Sequence, residues 1–261
     1  MTHQERQWLA CHALGVSSAT LLAHPELYER PEVLALLRQR ETGEPLQYIL
    51  GEAPFWERDF HVGPGVLIPR RDTETLITAA LELLPDGVPF TFLDWGTGSG
   101  CIAATLLLER PEASALMADR SPVVLEYAKE NLNRYDLEAR ARLIRTETPE
   151  DILLTEEEQC ALVISNPPYI PTRDIPGLMR EVRDHEPGMA LDGGPDGMDC
   201  YRLLFRHAPR WLRPGGLLIL EMGDATQAEA FRASPPAGFV FLREFRDEGE
   251  NPRCAVWQYP G

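Results

Sequence analysis

One glycine-rich segment limits what this chain can fold into more than any other feature. Phe90–Leu93 is a short apolar run that predicts a strand, and Ile102–Glu109 predicts a helix. The loop after the strand is Asp94-Trp95-Gly96-Thr97-Gly98-Ser99-Gly100. Glycines in such a turn let the backbone approach a ligand closely, and the first amides of the following helix face the loop. The spacing is GxGxG rather than the GxGxxG of dinucleotide sites, so a nicotinamide or flavin cofactor is the weaker interpretation.

Strand and helix patterns alternate beyond this loop, which is typical of βαβ folds. Further strands are predicted at Ala115–Ala118, Arg142–Arg145, Leu162–Ser165 and Leu217–Met222. A helix is expected around Tyr201–Leu212, ending at Pro214-Gly215-Gly216. Phe239–Glu244 and Ala255–Tyr259 are expected to finish the chain as a β-hairpin pair. The pattern predicts an α/β fold.

Three regions are predicted along the 261 residues, a length that allows one large α/β domain with a small companion. Residues 1–50 are interpreted as short helices. Residues 51–70 mix glycine and proline with aromatic and β-branched residues, which predicts a hairpin-like connector. Residues 71–261 form the α/β domain, in which Asp72 is expected to cap a helix running to about Leu84.

Asp119 stands at the end of the second predicted strand of the α/β domain. An acidic side chain at this point of a doubly wound sheet can accept both hydroxyl hydrogens of a ribose. A helix-capping or loop aspartate is the alternative interpretation. Together with the glycine loop, the position favours ribose binding.

The sequence Asn166-Pro167-Pro168-Tyr169 follows the strand predicted at Leu162–Ser165. Because prolines have a fixed φ and no amide donor, the carbonyls beside them can point into a cleft. The asparagine oxygen is a second acceptor, so the two could hold both hydrogens of a planar NH₂ group, and Tyr169 offers a face for a flat amide or base. These acceptors would strengthen as positive charge develops on the weakly nucleophilic nitrogen, which favours the transition state.

Composition excludes several classes of protein. Twenty-five basic against 41 acidic residues give a net charge of −16, which makes a nucleic-acid substrate less expected. Five scattered cysteines without a CxxC pair and six histidines without ligand spacing argue against a disulfide framework and a metal site. No run approaches the roughly 18 to 20 apolar residues of a membrane span, and no signal peptide is recognisable, so a cytoplasmic location is expected.

These motifs together resemble the HemK/PrmC group of S-adenosylmethionine-dependent protein-(glutamine-N5) methyltransferases. That group modifies the glutamine of the GGQ motif in peptide chain release factors. The resemblance covers nearly the whole chain and includes Gly43–Gly51, Leu67–Glu74, Glu186-Pro187 and Ala190–Gly194. The NPPY motif alone is shared with adenine-N6 DNA and RNA methyltransferases and with glutamine methyltransferases of ribosomal proteins. The segment Leu67–Glu74, LIPRRDTE, favours the release-factor enzymes.

The resemblance implies a Rossmann-like, seven-stranded class I S-adenosylmethionine-dependent methyltransferase domain and a small helical N-terminal domain that recognises the substrate. The residues implied to line the methionine and ribose part of the cofactor are Gly96, Thr97, Gly98, Ser99 and Gly100. Asp119 would bind the ribose hydroxyls, and Glu147-Thr148 stands where the family often has an acidic residue and a tryptophan near the adenine.

The substrate amide is implied to lie on the NPPY segment. Asn166, which also borders the cofactor, and the Pro167 carbonyl would hold the amide, with Pro168 and Tyr169 completing the substrate-binding segment. The implied partner is a release factor, with no membrane and nucleic acid unlikely as a substrate. Two alternatives differ in class: an adenine-N6 DNA or RNA methyltransferase, and a cofactor-binding module without catalysis.

Overall fold

The first fifty residues form a group of helices in the computed structural model, which describes residues 1–233 and 236–261. These helices are α1 (His3–Leu14), α2 (Ser18–Ala23), α3 (Pro31–Glu41) and α4 (Leu46–Leu50). The Thr2 side chain caps α1 by accepting the Glu5 N–H at 3.1 Å. The helices enclose a hydrophobic cluster of their own around Leu9, Leu21 and Val33, each with at most 1% of its surface exposed.

A β-hairpin follows the helices. Its strands are β1 (Glu52–Phe55) and β2 (Arg58–His61), and they pair antiparallel. Trp56 and Glu57 at the tip both have a positive φ, of 50° and 58°, which suits the right-handed twist of a two-residue hairpin. The Trp56 N–H donates to Glu74 at 2.8 Å, so the tip is held against the α/β domain. These strands correspond to the first part of the connector expected over 51–70.

The other seven strands form one mixed sheet with the order β5-β4-β3-β6-β7-β9-β8. They are β3 (Phe90–Trp95), β4 (Ala113–Asp119), β5 (Ala141–Arg145), β6 (Cys160–Ser165), β7 (Leu212–Glu221), β8 (Val240–Arg246) and β9 (Pro252–Gln258). The first five in this order are parallel, and β9 pairs antiparallel with both β7 and β8. The predicted α/β, Rossmann-like sheet of seven strands is confirmed.

Helices cover both faces of this sheet. They are α5 (Glu74–Leu83), α6 (Cys101–Glu109), α7 (Pro122–Arg134), α8 (Arg180–His185), α9 (Asp199–Trp211) and α10 (Ala225–Ala233). The short parallel strands are buried on both sides because two hydrophobic clusters meet them, one including Leu76 and Leu106, the other Tyr201 and Trp211. Because these strands run parallel, the polar groups that follow their carboxyl ends meet along one edge of the sheet.

Two local predictions were wrong. Asp72 does not cap α5, because residues 71–73 form a 3₁₀ turn that enters the helix directly. The Asp72 carboxylate instead forms an ion pair with Arg253 at 3.1 Å. Pro214-Gly215-Gly216 does not end α9, which stops at Trp211; the triplet lies within the longer strand β7, whose core pairing with β6 resumes at Leu217.

Arg40 joins the helical region to the α/β domain. Its guanidinium donates to Glu5 at 2.8 Å and to Glu181 of α8 at 2.7 Å, and only 11% of the arginine side chain is exposed. A further bond reaches the Glu44 carbonyl at 3.1 Å. One side chain therefore connects α1, α3 and α8.

Replacing Arg40 with alanine is expected to lower the free energy of unfolding by about 2 kcal/mol, because the change leaves partly buried carboxylates without their charged partner. Arg30→Ala is the matched control, since its ion pair with Glu32 is more than half exposed on both sides. The control should cost no more than about 0.5 kcal/mol. Chemical denaturation measures both, and equal losses would contradict the proposed importance of the Arg40 contacts.

Candidate active site

The sheet order reverses direction between β3 and β6, and a cleft opens beyond the carboxyl ends of these strands, where α/β sheets bind ligands. A cavity of about 330 Å³ lies there. Its lining includes Pro168 and eight of the nine sequence-predicted cofactor residues: Gly96, Thr97, Gly98, Ser99, Asp119, Glu147, Thr148 and Asn166. Gly96 and Pro168, which are 72 positions apart in the chain, thus share one cavity.

The glycine loop has open space above it. Gly96 and Gly98 have φ values of +70° and +57°, which side chains rarely adopt. A Cβ built on Gly96 would meet no protein atom within 4 Å. The Gly96 and Thr97 amides both donate to the Ala118 carbonyl, at 2.8 and 3.0 Å, which fixes the loop against β4. This is a rigid cradle that a ligand can approach at the backbone.

Gly100 lies outside the cavity. It begins α6 with a φ of +80°, and a Cβ there would stand 2.9 Å from Met117 Cε and 3.3 Å from Ala128 Cβ. The glycine therefore permits close packing between the loop, β4 and α7. Its place in the structure is beneath the cradle.

Gly100→Ala is expected to lower the free energy of unfolding by about 3 kcal/mol, because a left-handed backbone and a crowded Cβ both add strain. Gly87→Ala is the control, since Gly87 has a φ of +70° but an added Cβ would meet nothing within 4 Å. That change should cost only about 1 kcal/mol. Thermal or chemical unfolding compares them, and an equal cost would refute the packing role.

Asp119 ends β4 with its carboxylate held by two backbone amides. Oδ2 accepts the Gly98 N–H at 3.2 Å and Oδ1 accepts the Ser121 N–H at 3.0 Å. Burial raises the pKa of Asp119, although these amides act to lower it. Each oxygen keeps a lone pair for a further donor, so the group is suited to accept two neighbouring hydroxyls.

Glu147 and Thr148 lie at the far end of the same cavity. The Glu147 carboxylate forms an ion pair with Arg145 at 3.2 Å, and both residues of the pair are exposed. Thr148 has no ring on which an adenine could stack, and its hydroxyl donates to Asp151 at 3.2 Å. Arg120 also lines this end. Arg120, Glu147 and Thr148 make this part of the lining polar.

Asp94 is a buried carboxyl under the glycine loop that motif analysis gave no role. Its Oδ2 accepts the Thr97 hydroxyl at 2.7 Å, while Oδ1 has no hydrogen-bond partner among the described residues. Burial raises the pKa of Asp94 to about 7. The neighbouring Ser99 hydroxyl likewise has no partner within the part of the chain that is described. Ser99 lines the larger cavity, whereas Asp94 lines neither cavity and lies under the loop.

Asn166 stands between the main cavity and a second one. The second cavity measures about 170 Å³ and is lined by Leu67, Arg70, Asn166, Tyr169, Ile170, Val182, Ala190 and Leu191. The Asn166 Nδ2 donates to the Thr73 hydroxyl at 3.1 Å, and no hydrogen bond from the described residues reaches its amide oxygen, which is open to a ligand. Pro168 lines the main cavity only. The Pro167 ring is buried and lines neither, but its carbonyl accepts no hydrogen bond from the described residues.

Tyr169 lines the second cavity with its hydroxyl directed away. The hydroxyl donates to Glu221 Oε1 at 3.2 Å. One ring edge lies against Gly223, where a Cβ would be 2.7 Å from Tyr169 Cδ2. Burial raises the pKa of this tyrosine far above its ordinary value, so it stays a donor.

Arg70 and Glu186 were missed as interacting groups by motif analysis. Arg70 lines both cavities and forms an ion pair with Glu186, whose carboxylate is 2% exposed. Glu186 also accepts the Ile68 N–H at 3.2 Å. Because 116 positions separate the pair, no local pattern could have revealed the contact.

Within residues 1–233 and 236–261, no three histidine, cysteine, aspartate or glutamate side chains are grouped so as to hold a metal ion. Of the helices that the structure describes, none is both long and apolar enough to cross a membrane.

Comparisons with known proteins agree with this geometry. The family model described as "Methyltransferase small domain" matches residues 73–179, and the one described as "PrmC N-terminal domain" matches residues 3–51. A solved methyltransferase from Pyrococcus furiosus shares the fold, with a TM-score of 0.56 at 15% identity over 87% of this chain and 98% of that one.

Relatives with curated names extend the match. The release factor glutamine methyltransferase of Geobacter sulfurreducens is 42% identical over 84% of this chain and 76% of its own length. That of Caulobacter vibrioides is 40% identical over 94% of this chain and 85% of its own. The chain therefore belongs to the family of release factor glutamine methyltransferases.

Proposed function

We propose that this chain transfers a methyl group from S-adenosylmethionine to the side-chain amide nitrogen, N5, of the glutamine in the GGQ motif of a peptide chain release factor. The observation that carries the proposal is the place of Asn166, whose free amide oxygen lies where a cofactor-sized cavity and a smaller cavity meet. Family membership supports the same reaction. The reaction would take place in the cytoplasm, where release factors act.

The residues around the larger cavity fit the cofactor. Asp119 has an acceptor on each oxygen for the two ribose hydroxyls, and the cradle at Gly96 and Gly98 leaves backbone space for the methionine part. Glu147 and Thr148 would border the adenine. When bound, S-adenosylmethionine supplies an electrophilic methyl group on a sulfonium centre.

The smaller cavity would hold the glutamine side chain. Asn166 Oδ1 and the Pro167 carbonyl accept its two N–H groups, and Tyr169 and Ile170 exclude water beside it. An amide nitrogen is a weak nucleophile because its lone pair is delocalised. The two acceptors gain strength as positive charge develops on that nitrogen, so they stabilise the transition state more than the bound substrate. Alignment and electrostatics are the protein's contribution, and no strong base is required.

The surface near this cavity suits a protein substrate. Met189 lines the larger cavity and is 53% exposed, and Met179, directly before α8, is 76% exposed. In the helical region, Trp8 of α1 is 48% exposed. Large apolar side chains in such positions are typical of protein contacts. We therefore assign residues 1–50 to substrate recognition, 51–70 to the connector and 71–261 to the catalytic domain.

The test is methyl transfer from labelled S-adenosylmethionine to a purified release factor, beside the same factor with its GGQ glutamine replaced. Label on the native factor only would support both the partner and the glutamine as the methylated residue. Equal labelling of both factors would contradict the glutamine assignment. No label on either, with the cofactor still bound, would contradict the partner.

Ribosomal proteins, DNA and RNA belong in the same assay as alternative substrates. The net charge of −16 disfavours the nucleic acids, since duplex binding depends on neutralising phosphates. Faster labelling of a nucleic acid than of the release factor would overturn the proposal.

A further inference from the structure

A buried carboxylate behind the NPPY segment has no part in the mechanism above. Glu221 is the last residue of β7 and is 1% exposed. It lines neither cavity. The Tyr201 hydroxyl donates to its backbone carbonyl at 2.8 Å, and the Tyr169 hydroxyl donates to its side chain. A charged carboxylate buried at this depth is costly unless hydrogen bonds or an ion pair compensate for the lost water.

Thr73 lies between this carboxylate and the reaction site. Its side chain is 3% exposed and its hydroxyl accepts the Asn166 Nδ2 hydrogen at 3.1 Å. Asp72, the residue before Thr73, forms an ion pair with Arg253, and the next residue, Cys254, is the strand partner of Glu221, so Thr73 lies beside this carboxylate. The Thr73 hydroxyl acts to lower the pKa of Glu221, and no hydrogen bond from the described residues reaches Glu221 Oε2, which leaves that buried oxygen without a donor. Thr73 therefore has an acceptor on one side and an amide on the other.

The direction of the hydroxyl hydrogen determines which end of the Asn166 amide faces the substrate. A hydroxyl has a single hydrogen, so a Thr73 that donates towards Glu221 can only accept from Asn166. The Asn166 NH₂ group must then face Thr73, and its oxygen faces the cavities. With no acceptor behind it, the Thr73 hydroxyl could instead donate to the Asn166 oxygen. The amide would then turn over and present its NH₂ group to the substrate NH₂ group.

We propose that Glu221 is a positioning residue for methyl transfer, holding the Thr73 hydroxyl as an acceptor so that the amide oxygen of Asn166 stays directed at the substrate nitrogen. The inference rests on the proposed function, because it assigns Asn166 the task of accepting from a substrate amide. Tyr169 has a supporting part, since its hydroxyl occupies Glu221 Oε1 and leaves Oε2 for Thr73.

The kcat for methyl transfer should depend on pH through the ionisation of Glu221. Burial raises the pKa of Glu221 to about 7, against the Thr73 and Tyr169 hydroxyls, which lower it. The charged and titratable groups that face Glu221 are Asp72, Tyr169, Tyr201, Arg253 and Cys254. Burial raises the pKa of both tyrosines and of the cysteine, so these stay protonated at neutral pH. Protonated Glu221 becomes a donor, so kcat should fall as the pH drops through about 7.

Glu221→Gln separates positioning from a structural role. At pH 8 the amide can donate towards Thr73 and no longer enforces the arrangement, so kcat should fall by about 10- to 100-fold. The residual kcat of this variant should not decrease as the pH drops through about 7, as that of the wild type should. The variant's Kd for S-adenosylmethionine should stay within about twofold of the wild-type value. The fold should not suffer: the pKa of Glu221 is higher in the folded than in the unfolded protein, so ionised Glu221 destabilises the fold at high pH. The Tm of the variant relative to wild type should therefore be higher at pH 8 than at pH 5.

Thr73 gives an independent check. Thr73→Val should lower kcat as Glu221→Gln does, and Thr73→Ser should retain most of it because the hydroxyl remains. Since the proposed effect of Glu221 passes through Thr73, adding Glu221→Gln to Thr73→Val should cause little further loss. Glu244→Gln, a carboxylate on β8 paired with Arg232 and Arg246, is the control and should leave kcat unchanged.

Three outcomes would overturn the proposal. Wild-type kcat in Glu221→Gln at pH 8 would show that the carboxylate does not position Asn166. Full multiplication of the two losses in the double variant would show that Thr73 does not connect them. A wild-type protein that methylates no glutamine would overturn the proposed function together with this inference, whereas an active wild type with an equally active Glu221→Gln overturns this inference alone.

Discussion

Asn166→Ala is expected to lower kcat for release-factor methylation by about 10³-fold. The change removes the acceptor that faces the reacting nitrogen at the junction of the two cavities. The lost interaction is strongest when the nitrogen is positively charged, so the Kd for S-adenosylmethionine and the KM for the release factor should change by no more than a few fold. Transfer of labelled methyl under single-turnover conditions measures the effect.

Asn133→Ala is the matched control, because Asn133 is an exposed asparagine on α7. It should transfer methyl groups at the wild-type rate. If Asn166→Ala kept more than about a tenth of the wild-type kcat, the assignment of Asn166 to the reacting nitrogen would have to be abandoned.

Asp119→Ala is expected to weaken the binding of S-adenosylmethionine by about 100-fold, the loss of charge-assisted hydrogen bonds to two hydroxyls. Part of the loss comes from the loop, because the Gly98 and Ser121 amides also lose their acceptor. Titration calorimetry or a labelled-cofactor binding assay gives the Kd directly. At saturating cofactor, kcat should recover most of its wild-type value, since the proposed contact of Asp119 is with the cofactor ribose and not with the reacting amide.

Asp136→Asn serves as the comparison for this variant. Asp136 is exposed beyond the end of α7 with a φ of 56°, a conformation that asparagine also tolerates. The Kd of this control should equal that of wild type. An Asp119→Ala protein that binds S-adenosylmethionine as tightly as wild type would contradict ribose binding by this carboxylate.

The sheet and the order of its parts could be predicted because the signals are local. The run at Phe90 and the glycines after it specify a strand, a turn and a helix within about twenty residues. Asp119 and the NPPY segment each follow a strand, and parallel strands bring their carboxyl ends to one edge. Local signals were misleading at Asp72. An aspartate before a helix is typical of an N-cap, but the Asp72 side chain forms an ion pair with Arg253, which is 181 positions away in the chain.

The contacts that orient the site were beyond sequence reasoning for the same reason. Thr73 meets Asn166 across 93 positions, and Arg70 meets Glu186 across 116. Neither pair has a spacing that distinguishes it from unrelated residues. Gly100 illustrates the opposite case, since its motif was recognised but its position beneath the cradle depends on Met117 and Ala128.

The contacts of Arg40 between the helical region and the α/β domain limit how the protein can change during evolution. Arg40 bonds to Glu181, and the next residue, Val182, forms part of the wall of the smaller cavity. A mutation that reshapes the helical region to suit a different protein would therefore shift the wall where the side chain of that protein is received. The helical region and the wall of the smaller cavity therefore cannot change independently of each other. A hybrid protein that carried the helical region of a distant relative would also carry that relative's residue at position 40. It would need a residue at position 181 that can bond to it in order to remain active.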